Sequence, residues 1–228
     1  MIPLRDHNPT GGQPWVTFAL IGLCVLVFLW QLSLGSAGNQ QAVYALGAIP
    51  AVLLHGAQLP PEIAMVPPTM TIVTSMFLHG GWMHLLGNML YLWIFGDNIE
   101  DSMGHVRFVI FYLLCGTAAV FAQALPDSTS VIPMIGASGA ISGVLGAYLL
   151  LHPHAKVTVL IPLGFVLQTA RLPAVWVLGF YFVLNLINSL MAQGGGGVAF
   201  RAHLGGFIAG MVLIPLLKHR NVPLLDRR

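Results

Sequence analysis

The stretch Gly136-Ala137-Ser138-Gly139-Ala140-Ile141-Ser142-Gly143 places a serine hydroxyl between glycines at the start of an apolar segment of membrane-spanning character. Sixty-five residues later, Ala202-His203-Leu204-Gly205-Gly206 places a histidine at the start of a second such segment. A hydroxyl is tolerated in a bilayer, but an imidazole at that depth is costly and persists mainly for function. The two segments together suggest hydrolytic chemistry inside a membrane.

The composition of the chain indicates an integral membrane protein. Of its 228 residues 57% are hydrophobic and only 7% are charged, whereas a soluble domain carries about a quarter charged residues. Between Asp6 and Glu62 there is no Asp, Glu, Lys or Arg at all. The net charge of +2 gives no reason to expect a nucleic-acid partner. Cys24 and Cys115 lie in apolar stretches and are expected to be buried free thiols.

Six apolar stretches have the length that a membrane span requires at about 1.5 Å rise per residue. The predicted fold class is therefore an all-α membrane protein, a bundle of six transmembrane helices occupying residues 15–217. Residues 1–14 and 218–228 are expected to be cytoplasmic segments on either side of it. The predicted spans are Trp15–Leu34, Ile72–Phe95, Phe108–Leu125, Gly136–Leu151, Ala174–Leu190 and Ala202–Leu217.

The distribution of basic residues predicts the orientation of the bundle. With six spans, both termini lie on one side, and eight of the nine Lys and Arg residues fall on that side. Only Arg201 falls on the other. Because positively charged loops stay in the cytoplasm, both termini are expected to be cytoplasmic. The eight are Arg5, Arg107, Lys156, Arg171, Lys218, Arg220, Arg227 and Arg228.

Three connecting segments have a composition that predicts their character. Residues 35–71 contain several prolines and are expected to form short amphipathic helices in the outer interface. Residues 157–168 are apolar but too short to span, so we expect an interfacial segment, with a broken helix as the alternative. The run from Gly194 to Gly197 predicts a flexible external linker.

The predicted topology puts Ser138 and His203 at the same depth, near the external ends of the fourth and sixth spans. Each span carries small residues four apart, which let membrane helices pack almost backbone to backbone. Such packing would bring the imidazole within hydrogen-bonding reach of the hydroxyl, as a nucleophile and its general base require. Taken alone, a glycine stripe indicates only packing and a serine near a helix start indicates a cap. The stripes are Gly139, Gly143 and Ala147, and Ala202, Gly206 and Gly210.

A third group of polar residues precedes and begins the second span, in His79-Gly80-Gly81-Trp82-Met83-His84-Leu85-Leu86-Gly87-Asn88. His84 and Asn88 are four apart and share a helix face. With the backbone N–H of Ser138, they are candidates for an oxyanion hole; a polar clamp between helices is the alternative. The sequence leaves two roles open for His79, a structural hydrogen bond and a role in the site. The spacing of His79 and His84 does not fit a metal pair, so neither metal nor cofactor is expected. Because no carboxylate lies at this depth, a Ser-His dyad is predicted rather than a triad.

These motifs resemble the rhomboid family of intramembrane serine proteases. The similarity is carried by Gly136-Ala137-Ser138-Gly139, by Ala202-His203-x-x-Gly206-x-x-x-Gly210 and by His79-(x)4-His84-(x)3-Asn88, and the opening residues 2–10 resemble bacterial members. The resemblance implies a six-helix bundle in which Ser138 is the nucleophile and His203 the base, with His84, Asn88 and the Ser138 amide as oxyanion hole. Gly136, Gly139, Gly143, Gly206 and Gly210 would support helix packing.

The resemblance also implies partners and location. Substrates would be single-pass membrane proteins cut near the outer face of the lipid bilayer, and the protein would reside in a bacterial inner membrane. The sequence departs from the family in two places: Met70-Thr71-Ile72 stands where many members carry a Trp-Arg pair, and Ser142 where some have an aromatic residue under the catalytic ring. The alternative function is that of a catalytically inactive rhomboid-like chaperone that binds membrane proteins.

Overall fold

The computed structural model describes residues 1–163, 166–191 and 199–226. Short 3-10 turns follow two of the helices, at Ser75–Phe77 and Leu125–Asp127. The strands are β1 (Ile2–Asp6), β2 (Lys156–Leu163) and β3 (Val166–Pro173). The helices are α1 (Trp15–Ser33), α2 (Gly35–Leu46), α3 (Pro50–His55), α4 (Pro68–Thr74), α5 (Trp82–Met103), α6 (His105–Ala124), α7 (Ser138–Leu151), α8 (Ala174–Met191) and α9 (Phe200–Leu217).

Helix α7 lies at the centre of the bundle. Every residue from Gly139 to Tyr148 is buried, as expected for a helix that is apolar on all sides. Its neighbours are α5, α6 and α9, and α9 and α6 make the most extensive contacts with each other and with α7. Helices α1 and α8 are peripheral and expose large apolar side chains such as Leu26 and Trp176.

Within the described part of the chain, four helical segments are long and apolar enough to cross a membrane, which supports an integral membrane protein. They are Trp15–Ser33, His105–Asp127, Ala174–Met191 and Phe200–Leu217. Helix α7 is apolar but shorter, and it is enclosed by its neighbours. Helix α5 carries Asp97, Glu100 and Asp101 in its last two turns.

The second predicted span, Ile72–Phe95, was wrong at both ends. The helix is interrupted at residues 78–81, and α5 begins only at Trp82, because two consecutive glycines favour a turn over a helix. Helix α5 then continues eight residues beyond Phe95, to Met103. Two of the acidic residues there accept hydrogen bonds from earlier parts of the chain: Asp101 from the N–H of Gly11 and Glu100 from the start of α1.

The buried carboxylate of Glu100 connects α5 to the start of α1. It accepts hydrogen bonds from the N–H groups of Val16 and Thr17, at 2.9 and 2.8 Å, and from the Thr17 hydroxyl at 2.7 Å. His105 Nδ1 lies 2.6 Å from the same carboxylate. Free N–H groups at a helix N-terminus bind anions favourably, so Glu100 caps α1 from another helix.

The described chain is mostly helical but not all-α as predicted, because it also contains a three-stranded sheet; the location of residues 157–168 in a membrane interface remains a prediction. Residues 157–163 lie in β2 and residues 166–168 in β3; β2 pairs antiparallel with β3, and β1 pairs antiparallel with β2. The run Lys156-Val-Thr-Val-Leu-Ile is rich in β-branched residues, which favour strands, and Val157 and Val159 turn into the core. Strand β2 therefore has a partner on each edge, β3 beside it in sequence and β1 far away in sequence.

The connection formed by residues 35–71 contains the short helices α2 and α3 and the start of α4, and its location in a membrane interface remains a prediction. The predicted linker Gly194–Gly197 lies outside the described residues.

Basic residues gather at one end of the bundle. Arg5, Lys156 and Arg171 belong to the three-stranded sheet. Arg107 donates to the carbonyl of Leu217 at the end of α9, so the end of α9 lies beside the start of α6. At this end Tyr148 also donates to Asp6, whose pKa is raised by burial despite that hydrogen bond. Arg201, at the start of α9, lies at the opposite end, where α7 also begins.

Candidate active site

The first residue of α7 and the fourth residue of α9 meet at the end of the bundle opposite the sheet. Ser138 Oγ lies 2.9 Å from Nε2 of His203. Both residues are half-buried, so the pair lies inside the bundle without being sealed from its surroundings. This is the separation that direct proton transfer between a hydroxyl and an imidazole requires.

Glycines allow α7 and α9 to approach closely enough for this contact. A Cβ atom at Gly206 would overlap the carbonyl oxygen of Gly139, and one at Gly210 would overlap that of Gly143. On the other face of α7, a Cβ at Gly143 would also collide with Cys115 of α6. The glycines of the predicted stripes therefore lie against each other, and a side chain at Gly206 or Gly210 would push the two helices apart.

The imidazole of His203 has a second partner on α8. Its Nδ1 atom lies 2.7 Å from Oδ1 of Asn185, a residue that is 6% exposed. The Nδ2 group of Asn185 donates to the backbone carbonyl of Tyr181 at 2.8 Å. The histidine is thus held through both ring nitrogens, by α7 on one side and by α8 on the other.

An aromatic ring from α8 lies against His203. The ring centroids of Tyr181 and His203 are 6.3 Å apart with planes tilted by 31°. The Tyr181 hydroxyl is 2.8 Å from Oγ of Ser142, and Ser142 donates to the carbonyl of Ser138 at 2.7 Å. An aromatic side chain from a neighbouring helix thus lies beside His203 and is bonded to Ser142.

His84, in the first turn of α5, lies beside the start of the serine motif. Its Nδ1 accepts a hydrogen bond from the N–H of Gly80 at 3.3 Å, so in the neutral ring the proton is on Nε2. A Cβ built at Gly136 would lie 2.7 Å from that Nε2 and 3.7 Å from Ser138 Oγ. Gly136 also has φ +120°, a conformation that only glycine adopts easily. Glycine is required here, and His84 directs its N–H toward the serine motif.

Asn88, one turn further along α5, is buried, and its Nδ2 donor has no partner among the described residues. A buried amide without a hydrogen bond carries a desolvation cost of about 1–3 kcal/mol. Such a donor is chemically suited to an anion that forms only during a reaction.

His79 is fully buried in the turn before α5. Its backbone N–H donates to Oε1 of Gln31 at 2.9 Å, and its carbonyl accepts from Nε2 of the same side chain at 3.2 Å. The ring Nδ1 donates to the carbonyl of Phe77 at 3.2 Å. The backbone of His79 is thus bonded to α1, and its ring packs edge-to-face on His84, 5.2 Å away.

Among residues 1–163, 166–191 and 199–226, no group of three or more His, Cys, Asp or Glu side chains is arranged to hold a metal ion.

A family model described as the Rhomboid domain matches residues 68–220, a range that contains Ser138, His203, His84, Asn88 and the α8 residues that contact His203. The chain belongs to the rhomboid family. Among known rhomboids it is 30% identical to Rhomboid protease GluP of Bacillus subtilis, over 87% of this chain and 34% of that protein. It is 31% identical to Rhomboid protein 1, mitochondrial, of Saccharomyces cerevisiae, over 86% of this chain and 51% of that protein.

A plant relative, RHOMBOID-like protein 5 of Arabidopsis thaliana, is 32% identical over 62% of this chain and 42% of its own length. The alignments thus span from about a third to about half of these relatives. Similarity to bacterial, mitochondrial and plant rhomboids supports membership of the family and a location in a membrane.

Three residues of this rhomboid site were missed by the sequence analysis: Asn185, Tyr181 and Gln31. Asn185 and Tyr181 are four apart in α8, so they share one helix face, and an asparagine and a tyrosine with hydrogen-bonding groups inside an apolar span were the available signal. Gln31 gave a similar signal in the last turn of α1. The group that contacts Nδ1 of His203 is an amide, not the carboxylate of a catalytic triad.

Proposed function

We propose that this rhomboid is an intramembrane serine endopeptidase in which Ser138 is the nucleophile and His203 the general base. The single observation that carries the proposal is the 2.9 Å separation of Ser138 Oγ and His203 Nε2, made by two helices whose glycines permit their close approach. Membership of the rhomboid family supports it, as does the printed name of the Bacillus subtilis relative, a rhomboid protease.

The proposed reaction is acyl transfer in two steps. The Ser138 hydroxyl attacks the carbonyl carbon of the scissile peptide while His203 Nε2 takes its proton. The tetrahedral intermediate then collapses, the C–N bond breaks, and the imidazolium returns the proton to the departing amine. A water molecule, deprotonated by the same imidazole, hydrolyses the ester and restores the Ser138 hydroxyl.

The negatively charged oxygen of the intermediate needs hydrogen-bond donors. We propose the Nε2–H of His84, the Nδ2 of Asn88 and the backbone N–H of Ser138. The orientation of His84 and the lack of a partner at Asn88 support this role. Ser138 begins α7, so its N–H is one of those that a helix leaves unbonded at its start.

The substrate class and the topology belong to the same proposal. Helices α1, α5, α6, α7, α8 and α9 would be the six spans, with both termini in the cytoplasm of a bacterial cell. Concentration of basic residues at the end of the bundle that holds the sheet supports this orientation. The substrates would be single-pass membrane proteins, entering sideways between α5 and α8 and unwinding locally before cleavage on the external side.

The proposal is tested by cleavage of a transmembrane reporter in liposomes. We expect Ser138→Ala and His203→Ala each to abolish cleavage, whereas Ser36→Ala and His154→Ala, both at exposed positions, leave it unchanged. A fluorophosphonate probe should label the wild type and fail to label Ser138→Ala. Turnover by purified Ser138→Ala protein would refute the nucleophile. Absence of both labelling and cleavage in folded wild type would favour the catalytically inactive chaperone.

A further inference from the structure

The side-chain amide of Asn185 is buried between two partners, one of which requires its nitrogen and the other its oxygen. Its Nδ2 group faces the backbone carbonyl of Tyr181, which is purely an acceptor. A flipped amide would put two oxygens against each other there. The nitrogen of the amide therefore points to Tyr181, and Oδ1 points to His203.

This orientation determines where the imidazole of His203 carries its proton. Oδ1 of Asn185 is only an acceptor, so the Nδ1 atom 2.7 Å from it must donate. In the neutral ring the other nitrogen, Nε2, is then without a proton and accepts from the Ser138 hydroxyl at 2.9 Å. The hydrogen bonds form one directed chain, from Ser138 through His203 to the amide of α8.

The alternative tautomer would be inactive as a base. With the proton on Nε2, the imidazole would present a donor to Ser138 Oγ and could not accept the hydroxyl proton. In free imidazole the two tautomers are close in energy, so the selection must come from the surroundings of the ring. Asn185 supplies this selection without any charge, inside a membrane protein where a buried carboxylate would be costly.

We propose that Asn185 is a positioning residue that holds His203 in the Nδ1-protonated tautomer, so that a Ser138–His203–Asn185 chain replaces the dyad. The inference rests on the proposed function of Ser138 and His203. Tyr181, one turn earlier on α8, bounds the same ring from its face. Helix α8 therefore determines the direction of the imidazole as well as its protonation.

The variant that tests this is Asn185→Leu, which keeps the approximate volume and removes the acceptor. We expect kcat for the liposome reporter to fall by about 10- to 100-fold with KM nearly unchanged, less than the ~10⁴-fold loss known for a triad acid replaced by its amide. Asn185→Asp keeps an oxygen acceptor for Nδ1 but places its second oxygen against the Tyr181 carbonyl, so kcat should recover only in part relative to Asn185→Leu. The matched control is Asn188→Leu, an exposed asparagine on the same helix, which should behave as wild type.

The tautomer itself is measurable by ¹⁵N NMR of histidine-labelled protein, with the His203 signals assigned by their loss in His203→Gln. Wild type should show a protonated Nδ1 and a bare Nε2 on His203, and Asn185→Leu should lose this preference. A protonated Nε2 in the wild type would overturn the inference, whether or not the variants fold. So would wild-type kcat in Asn185→Leu.

These outcomes separate the inference from the proposed function. If Ser138→Ala abolishes cleavage while Asn185→Leu cleaves normally, the protease stands and the positioning role fails. If Ser138→Ala cleaves normally, the proposed function fails first.

Discussion

The hydroxyl of Tyr181 lies 2.8 Å from the hydroxyl of Ser142, which joins the middle of α8 to the second turn of α7 just below the catalytic candidates. Ser142 in turn donates to the carbonyl of Ser138. The tyrosine ring that faces His203 is therefore tied to the helix that bears the serine. The ring and the hydroxyl have separable tasks, and substitutions can distinguish them.

Tyr181→Phe keeps the ring and loses one hydrogen bond, with a typical net contribution of about 0.5–1.5 kcal/mol. We expect kcat to fall by no more than about tenfold. Tyr181→Ala frees the face of the imidazole, and misplacement of a catalytic group by about 1 Å can cost ~10²-fold, so kcat should fall further. Steady-state cleavage in liposomes measures both. Equal losses in the two variants would mean that the hydroxyl, rather than the ring, matters.

Asn88→Ala should lower kcat by about 10²–10³-fold, the usual effect of removing one oxyanion-hole donor. Because the Nδ2 of Asn88 has no partner among the described residues, the variant should unfold no more readily than the wild type. Cleavage rate and thermal unfolding of the purified protein are the two measurements. A stability loss with unchanged kcat would instead assign Asn88 to packing.

Gly206→Ala should separate α7 from α9, because the new methyl group would overlap the carbonyl oxygen of Gly139. Overpacking of this kind costs about 1–3 kcal/mol, and the contact between Ser138 and His203 should lengthen with it. We expect lower thermal stability and loss of fluorophosphonate labelling. The control is Gly179→Ala in α8, where a Cβ atom meets nothing within 4 Å. The same loss in both variants would argue against close packing of α7 and α9.

Glu100→Gln should destabilise the protein without touching the site. The carboxylate accepts three hydrogen bonds from Val16 and Thr17, and bonds to a charged group contribute about 1.5–3 kcal/mol each when their partners stay buried. The amide retains one oxygen and turns an NH2 toward donors, so we expect a loss of about 1–3 kcal/mol. Denaturant or thermal unfolding measures it, and the exposed Glu62→Gln should be neutral. Equal stability of the two variants would contradict the capping role of Glu100.

Gln31→Ala should loosen the turn that precedes α5. The side chain of Gln31 bonds both backbone groups of His79, whose ring packs on His84. We expect reduced kcat with little change in KM, because His84 loses its support while the substrate path is unchanged. Reporter cleavage checks this, with the exposed Gln40→Ala as control. Wild-type kcat in Gln31→Ala would show that the turn is held by other contacts.

The features that could be predicted from the sequence are those that leave a local signal in it. The helix periodicity and length of the apolar stretches predicted the long helices, and the motifs around Ser138 and His203 predicted residues that do lie together. The relation of Asn185 to His203 was beyond reach, because a hydrogen bond between two spans depends on their rotation about their own axes. Apolarity alone gives no information about that rotation.

The errors have equally specific causes. The span Ile72–Phe95 was predicted from hydropathy, which does not reveal the helix break at Gly80-Gly81. The acidic residues after Phe95 suggested that the helix ends there, but it continues, with Glu100 bonded to the start of α1. The strands at residues 157–163 and 166–168 were missed because a strand is defined by its partners, and one of them, β1, is remote in sequence. Long-range pairing of this kind leaves little trace in local composition.

The pairing of β1 with β2 has a consequence for biogenesis. The ribosome makes β1 first, and its partner emerges only after α1, α5, α6 and α7 have been synthesised. Throughout that interval the first strand has no neighbour to bond with. Closure of the sheet therefore joins two parts of the chain that are synthesised at different times, and the partner strand becomes available after Ser138 has been made and before His203.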